Sequence, residues 1–353
     1  MRWALTSGLS CLATRVTVRL RNLDWSNQSA SCFYNFVVRP SVSAITQEIV
    51  SRRVSGSNIW LSHGEPDSQY LASLASQQVN YEILPSEDEV GRAMFDEIEA
   101  VAQAKDGDVS IILLGGRGAQ ALHRLLGAFA LGSENDRLLS RLRVFTQDAL
   151  APLRMDNGFS FVRDFERLLG EAFFRKIKSF KSMRTDAEDL QLELKSYVSA
   201  LESAGGIDIF FLGLGPEANA ASHLAYIKPG SGASVADVAG IIPISPSILE
   251  HHITKFKAGR AKVSERDEAE CRSATQILTL GPAAILGAKR IVQSIVDAST
   301  APAKRQSYNE LLTAVISDDV SIRAKQMDDN PGLWLRLHPN VRSLILSDVL
   351  ETN

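Results

Sequence analysis

The sequence has few cysteines, no long apolar run and no excess of charge of either sign. Only three cysteines occur among 353 residues, at Cys11, Cys32 and Cys271, and none forms a CxxC pair. This number and spacing argue against a disulfide framework or a thiolate-bound metal, and they fit a reducing compartment. A membrane-spanning helix needs about 18 consecutive apolar residues, and no apolar segment of this sequence is nearly that long. No membrane association is therefore expected.

Basic and acidic residues are nearly balanced, at 38 and 41. This balance provides no basic surface for a phosphodiester backbone, so nucleic acid is not expected as a partner. The length and the 45% hydrophobic content are typical of a globular protein with one large domain or two ordinary ones.

The N-terminal part of the chain shows little regular periodicity. We predict that residues 1–80 are an extension that is poorly structured or serves as a leader. Residues 1–23 contain four arginines and no acidic residue. This composition is compatible with an organellar transit peptide, with a disordered leader, or with a start codon placed too early. Otherwise we expect a cytoplasmic protein.

Residues 81–353 alternate between patterns typical of helices and of buried strands. Ser86 and Glu89 form a capping-box pattern at the start of the first helix, and a Gly-rich turn opens another after residue 114. We predict a doubly wound, mostly parallel α/β sheet flanked by helices. The predicted strands are 109–114, 142–146, 207–212, 277–280, 291–295 and 343–348, and the other predicted helices are 158–176, 185–204, 247–256, 282–287 and 308–314.

Two loops follow predicted strands and carry residue types suited to ligand chemistry. The first is Gly115-Gly116-Arg117-Gly118, where glycines and a helix N-terminus could hold a phosphate or could serve tight packing alone. The second ends at Asp148, whose carboxylate could act as a base or could simply begin a turn. In parallel α/β sheets such loops gather at the carboxyl ends of the strands, where ligands bind.

The third loop makes the pattern specific. Residues 211–222 read F-L-G-L-G-P-E-A-N-A-A-S, which resembles the lactonase signature G-x-G-P-D-G-H-T-A-S and the deaminase signature G-I-G-x-D-G-H. Residues 145–153 resemble the deaminase stretch F-N-M-D-E-Y-V-G-L, and residues 223–231 resemble H-I-A-F-N-E-P-G-S after a four-residue insertion. Shorter matches follow in order, so residues 83–349 resemble the glucosamine-6-phosphate deaminase and 6-phosphogluconolactonase superfamily.

The resemblance implies catalytic roles for four residues. Asp148 matches the deaminase aspartate that moves a proton between neighbouring carbons of the opened sugar. Glu217 and Asn219 stand where the family has an aspartate and the histidine of ring opening or water activation. An amide cannot titrate. If the stretch begins a helix, His223 would share a face with Asn219 and could replace it; otherwise His223 is a structural or solvated histidine.

The resemblance also implies a phosphate site. Its backbone amides would come from Gly115, Gly116, Arg117 and Gly118, and its cations from Arg117, Lys255 and Lys304. Lys228 replaces a family glutamate, so it would attract an anionic group. No metal or organic cofactor is implied, and we interpret the remaining histidines of the domain at 251, 252 and 338 as structural or exposed.

Three functions fit these residues. The first is a protein that acts on a phosphorylated sugar as a glucosamine-6-phosphate deaminase does, by aldose–ketose isomerisation with deamination. The second is a 6-phosphogluconolactonase-type lactone hydrolase, which the ungapped third-loop match favours. The third is a sugar-phosphate binder or sensor without turnover, because Asn219 and Lys228 depart from the family pattern. Related proteins range from monomers to hexamers, so a homo-oligomer is an expectation from the resemblance alone.

Overall fold

The structure is a computed structural model that describes residues 51–64, 68–215, 221–258 and 263–350. Its strands are β1 (Ser51–Ser55), β2 (Asn58–Ser62), β3 (Asn80–Ile83), β4 (Val109–Leu113), β5 (Leu142–Thr146), β6 (Asp148–Ala151), β7 (Ser179–Lys181), β8 (Ile209–Leu212), β9 (Leu214–Gly215), β10 (His223–Leu224), β11 (Asp237–Pro243), β12 (Gln276–Leu280), β13 (Arg290–Ile295) and β14 (Val341–Ile345).

The helices alternate with these strands along much of the chain. They are α1 (Ser68–Ser73), α2 (Glu87–Ala104), α3 (Arg117–Leu131), α4 (Asp136–Leu139), α5 (Phe161–Lys176), α6 (Leu190–Ser203), α7 (Pro246–Ala258), α8 (Glu265–Arg272), α9 (Pro282–Leu286), α10 (Ala303–Thr313) and α11 (Val320–Asp329). Short 3-10 segments occupy Ala298–Thr300, Pro331–Leu337 and Ser347–Val349. Within the described ranges, no helix combines the length and the apolar character needed to cross a membrane.

Seven strands form a parallel sheet in the order β3-β14-β13-β8-β4-β5-β7. The interior strand β4 is buried throughout, as its mostly apolar sequence predicts. The predicted doubly wound α/β fold is confirmed. The chain proceeds outward from β4 to one edge through β5 and β7, then returns at β8 and proceeds the other way. The switch point between β4 and β8 is where ligands bind in such sheets.

A second sheet is antiparallel and was not anticipated from the sequence. Its strand order is β1-β2-β11-β12-β6. The predicted strand at 277–280 exists as β12, but it pairs with β11 and β6 rather than with the parallel strands. β6 follows β5 after a single residue, Gln147, so the chain passes directly from one sheet to the other. Because one residue is too short to look like a connection, the sequence pattern concealed this transition.

The assignment of residues 51–64 to a poorly structured extension needs correction. These residues form the β1–β2 hairpin, and β2 pairs with β11. Trp60 is fully buried against Gly240, where a Cβ atom would lie 2.6 Å from the indole ring. Arg53 pairs with the buried carboxylate of Asp237. The strands are only five residues long and rich in serine and arginine, so their periodicity is weak. Residues 1–50 lie outside the described ranges.

Helix boundaries follow the capping residues. At α2, the Ser86 side chain accepts a hydrogen bond from the N–H of Glu89 at 3.2 Å, as predicted. The helix predicted at 185–204 begins only at Leu190, because the Asp189 side chain caps it. Thr185, the predicted start, instead donates a hydrogen bond to the Leu153 carbonyl oxygen at 2.6 Å. The strand predicted at 343–348 is β14, which ends at Ile345.

The hairpin offers a test of whether residues 51–64 belong to the core. Trp60→Ala should lower the free energy of unfolding by about 3–5 kcal/mol, because it removes a buried aromatic ring and leaves a cavity. Val54→Ala, on the neighbouring strand where Val54 is 57% exposed, should change it by less than about 0.5 kcal/mol. Chemical denaturation of both variants measures the difference. If both substitutions changed the free energy of unfolding by an equally small amount, the hairpin would not contribute to the core.

Candidate functional site

A pocket lies at the switch point, where the loops after β4, β8 and β13 meet helix α7 and the start of β6. We call it the switch-point pocket. Its lining includes the predicted residues Gly115, Gly116, Arg117, Gly118, Asp148, His223, Lys255 and Lys304. The fold thus brings together residues that lie up to 189 positions apart in the chain, between Gly115 and Lys304.

The first loop is shaped by glycine for two different reasons. Gly116 has a φ of 79°, a conformation that side chains disfavour, and it precedes α3 without capping the helix through a side chain. Gly115 and Gly118 are needed for packing: a Cβ at Gly115 would overlap the Phe161 ring, and one at Gly118 would lie 2.9 Å from the Ser294 hydroxyl. The helix therefore presents its N-terminal N–H groups and positive dipole end to the pocket.

Asp148 is the first residue of β6 and is only 3% exposed. One carboxylate oxygen accepts a hydrogen bond from the side-chain nitrogen of Gln147 at 2.5 Å. Burial raises the pKa of Asp148 to about 7, although the hydrogen bond from Gln147 acts in the opposite direction. A carboxyl group with this pKa can both accept and return a proton near neutral pH.

The third loop lies between two short paired strands. β9 and β10 are antiparallel, with His223 opposite Gly215. Glu217 and Asn219 fall in residues 216–220, which lie outside the described ranges, so their roles stay predictions. His223 belongs to β10 and not to a helix, so the condition under which His223 would share a helical face with Asn219 is not met at His223.

His223 is a buried, neutral histidine. Its ring stacks on Tyr226 with a centroid separation of 4.3 Å. Burial, together with the charges of Lys304 and His251, lowers the pKa of His223 to about 3. The imidazole is therefore uncharged at neutral pH, and its ring has one donor and one acceptor nitrogen.

The pocket contains a buried ion pair that the sequence did not reveal in full. Lys304 Nζ lies 2.5 Å from Asp297 Oδ1, and both side chains are almost fully buried. Burial lowers the pKa of Lys304, and Asp297 only partly offsets this effect. Burial alone would raise the pKa of Asp297, but the attraction and hydrogen bond of Lys304 lower it overall. Asp297 was missed because it follows β13 in a stretch without a family motif.

The other two predicted cations, Lys255 and Arg117, differ in whether another side chain already neutralises their charge. Lys255 lines the pocket, and its Nζ lies 3.4 Å from the Thr300 hydroxyl. Arg117 extends toward α2, where it pairs with Glu87 at 2.6 Å, and this hydrogen bond raises the pKa of Arg117. Lys228 does not line the pocket, since its Nζ donates to the Pro243 carbonyl oxygen at 2.9 Å. Its placement therefore gives no support to the predicted ligand contact.

His251 lines the pocket, in contrast to its interpretation from the sequence. Burial, followed by the charges of Lys255 and Lys304, lowers the pKa of His251 to about 4. Its spacing from Lys255, one helical turn away on α7, was the signal that could have identified it. His252 also lines the pocket, but its ring is hydrogen-bonded to the Phe159 carbonyl oxygen at 2.8 Å. His338 lies outside the pocket, and its ring is hydrogen-bonded to the Ala288 carbonyl oxygen at 2.7 Å, in agreement with a structural role.

Across the described residues, no cluster of three or more His, Cys, Asp or Glu side chains has the arrangement of a metal site. The polar groups of the switch-point pocket instead include an uncapped helix N-terminus, the buried Lys304–Asp297 pair, the half-buried Lys255, the carboxyl group of Asp148 and neutral histidines. This combination suits an anionic ligand on which a proton is transferred.

Comparison with known proteins agrees with the resemblance found in the sequence. The chain is 23% identical to a glucosamine-6-phosphate deaminase of Staphylococcus epidermidis over 257 residues, which cover 72% of this chain and 90% of the relative. It is 30% identical to a Staphylococcus aureus glucosamine-6-phosphate deaminase over 168 residues, covering 48% and 54%. No protein-family model matches the chain.

Two solved structures share the fold. A monomeric glucosamine-6-phosphate deaminase superposes with a TM-score of 0.59 at 20% identity, covering 77% of this chain and 98% of that one. The 6-phosphogluconolactonase from Trypanosoma cruzi superposes with a TM-score of 0.55 at 16% identity, covering 78% and 97%. The predicted resemblance to this superfamily is confirmed, at the low identity of a divergent chain.

The pKa of Asp148 predicts a pH-dependent stability. An unfolded aspartate loses its proton near pH 4, whereas folded Asp148 keeps it until about pH 7. Folding therefore becomes less favourable as pH rises from 4 to 7, by at most ~4 kcal/mol. Asp148→Asn should abolish this contribution. The free energy of unfolding of the variant, relative to that of the native chain, should therefore increase between pH 4 and 7 and then stay constant.

Chemical denaturation across this pH range measures the effect. Asp156→Asn is the control, because the Asp156 side chain is 74% exposed and should give a nearly constant difference. A constant difference for Asp148→Asn as well would contradict the raised pKa of Asp148.

Proposed function

We propose that this protein acts on a phosphorylated sugar and catalyses aldose–ketose isomerisation with deamination of an amino sugar phosphate; its relatives are named glucosamine-6-phosphate deaminases. The observation that carries the proposal is Asp148, a buried carboxyl group with a pKa of about 7 in the switch-point pocket. The neighbouring helix N-terminus and buried cations are suited to the phosphate of the same ligand.

The phosphate is held at the open end of α3. Backbone N–H groups around Gly116 point toward it, and their partial positive charge favours an anion. Lys255 and Lys304 add positive charge from α7 and α10. Lys304 is already paired with Asp297, so Lys255 contributes the larger share of uncompensated charge.

Asp148 performs the proton transfer. Its carboxylate removes the proton from the carbon next to the carbonyl carbon of the opened sugar, and the electron pair passes into an enol-type intermediate. The protonated carboxyl group then returns the proton to the neighbouring carbon. In an amino sugar this leaves an imine at the amine-bearing carbon, and hydrolysis by water releases ammonia. A pKa near 7 suits a group that must both take and give the proton.

His223 supports the ring-opening end. Its neutral imidazole can accept a hydrogen bond from the anomeric hydroxyl of the sugar and orient it, while the hydroxyl proton passes to the ring oxygen, the ring C–O bond breaks and the carbonyl forms. Glu217 and Asn219 belong to the adjoining segment of the chain and stay predictions for the same end.

Lactone hydrolysis is the second candidate, and the same histidine favours it. His223 at the pocket surface could hold a water molecule by a hydrogen bond, and that water would attack a lactone carbonyl and pass its proton to the ring oxygen. The ring ester C–O bond would then break to give a phosphorylated acid. In this reaction Asp148 has no required proton transfer, which separates the two candidates experimentally.

The direct test is a product assay with glucosamine 6-phosphate, with 6-phosphogluconolactone as the competing substrate. We expect fructose 6-phosphate and ammonia from the first, and kcat/KM should rise with pH through about 7 as Asp148 loses its proton. Asp148→Asn should reduce kcat by about 10²- to 10⁴-fold while ligand affinity is largely kept.

Each alternative has its own result. Lactone turnover that survives Asp148→Asn would support the hydrolase. Stabilisation of the protein by phosphosugars without any product would support a binder, because a ligand that binds only the folded state raises its apparent stability. No binding of any of these phosphosugars would refute the ligand assignment.

The phosphate site is tested separately by Lys255→Met. Removing this charge should weaken phosphosugar binding by about tenfold. Lys257→Met is the matched control on the same helix, since Lys257 pairs with Glu268 at 2.5 Å and does not line the pocket. Calorimetric titration with fructose 6-phosphate measures both affinities. An equal loss in the two variants would indicate a general charge effect rather than a phosphate contact.

A further inference from the structure

Gln147 occupies the single position between the two sheets. Its backbone N–H donates to the Leu113 carbonyl oxygen at the end of β4, at 3.0 Å. Its carbonyl oxygen accepts from the Leu280 N–H at the end of β12, at 3.1 Å. The backbone of Gln147 is therefore fixed from both sides, and its side chain starts from a defined point at the pocket floor.

The side chain of Gln147 is 5% exposed and lines the switch-point pocket next to Asp148. Its nitrogen donates to Asp148 Oδ2 at 2.5 Å. Its oxygen Oε1 is buried and has no hydrogen-bond partner in the described part of the chain. A buried amide oxygen without a partner is unfavourable, so this arrangement calls for a functional explanation.

We propose that Gln147 is a positioning residue that keeps the Asp148 carboxyl group hydrogen-bonded in both of its protonation states. This inference rests on the proposed function, in which Asp148 takes up and returns a proton in each turnover. The carboxylate accepts a hydrogen bond from the amide nitrogen. Once protonated, the carboxyl group donates to Oε1 after the amide turns about its last side-chain torsion.

The chemistry of the two groups supports this role. A carboxylate can only accept hydrogen bonds, a protonated carboxyl can also donate one, and a glutamine amide offers a donor and an acceptor on one rotatable group. The terminal torsion of glutamine has broad minima, so the turn is easy. The deaminase stretch that residues 145–153 resemble has methionine at this position, which offers neither group at comparable strength. The amide side chain at position 147 therefore distinguishes this chain from the deaminase stretch.

Other titratable groups around Asp148 do not substitute for Gln147. Tyr197 of α6 faces it, but burial raises the pKa of Tyr197 far above neutrality, and its hydroxyl donates to the Thr146 carbonyl oxygen. His223 of β10, His251 of α7 and Lys304 of α10 line the same pocket. Gln147 supplies the side-chain hydrogen bond to Asp148.

The experiment measures the pH at which folded Asp148 titrates, with no dependence on turnover. The free energy of unfolding is determined against pH for the native chain and for Asp148→Asn, and their difference gives the titration midpoint. The same pair of measurements is made in the Gln147→Met background. We expect the midpoint to move to higher pH by about one pH unit, because both hydrogen bonds are lost and the one to the charged carboxylate is the stronger of the two.

Gln293→Met is the matched control. Gln293 is also a fully buried amide, but it contacts Ser343 in the parallel sheet and does not line the pocket. Its loss should leave the Asp148 midpoint unchanged. Gln147→Leu replaces Gln147→Met if the latter does not fold.

An unchanged midpoint in the Gln147 variants would overturn the proposal. This result is independent of whether the protein turns over glucosamine 6-phosphate, so it is distinguishable from a failure of the proposed function. Where turnover is found, the acid limb of the kcat/KM profile should move in the same direction, whereas a merely structural loss would lower activity equally at all pH values.

Discussion

The backbone hydrogen bonds of Gln147 join the parallel sheet to the antiparallel one, and the rest of the site depends on this junction. One bond leads to the end of β4 and the other to the end of β12. Because the chain changes sheets within one residue, Asp148 begins a strand whose partner lies in the second sheet while it still faces the loops of the first. Its burial and its raised pKa follow from that position.

The pocket combines two solutions to the problem of buried charge. Lys304 and Asp297 form a buried ion pair. The pairing allows the lysine to be buried, but the negative charge of Asp297 weakens the electric field that Lys304 exerts on a ligand. Asp148 has only a neutral amide beside it, so its charged form is disfavoured and its proton is held until about pH 7. The Lys304–Asp297 pair places an ammonium group in the pocket, and Asp148 provides a carboxyl group that changes its charge near pH 7.

The sequence predicted five strands of the parallel sheet, because the interior strands β4 and β8 are mostly apolar and are followed by glycine-containing loops. The edge strands β3 and β7 were not predicted, since they are short and exposed or polar. The residues expected at the carboxyl ends of the strands line one pocket, and their roles stay predictions: the Gly115–Gly118 loop, Asp148, Lys255 and Lys304. The β1–β2 hairpin was not predicted because its short strands contain serine and arginine, and β11 acquires its order from long-range pairing with β2 and β12. The roles of Gln147, His251 and Asp297 depend on contacts between distant segments, which one sequence does not reveal.

The pairing of β9 with β10 has a consequence for how this region can change during evolution. Gly215 and His223 are held opposite each other by the two-residue ribbon, so the ends of the intervening segment are fixed independently of its length. Extra residues in such a closed loop add little entropic penalty per residue. The four-residue insertion relative to the deaminase signature falls between these two positions, so it need not displace His223 from its place opposite Gly215.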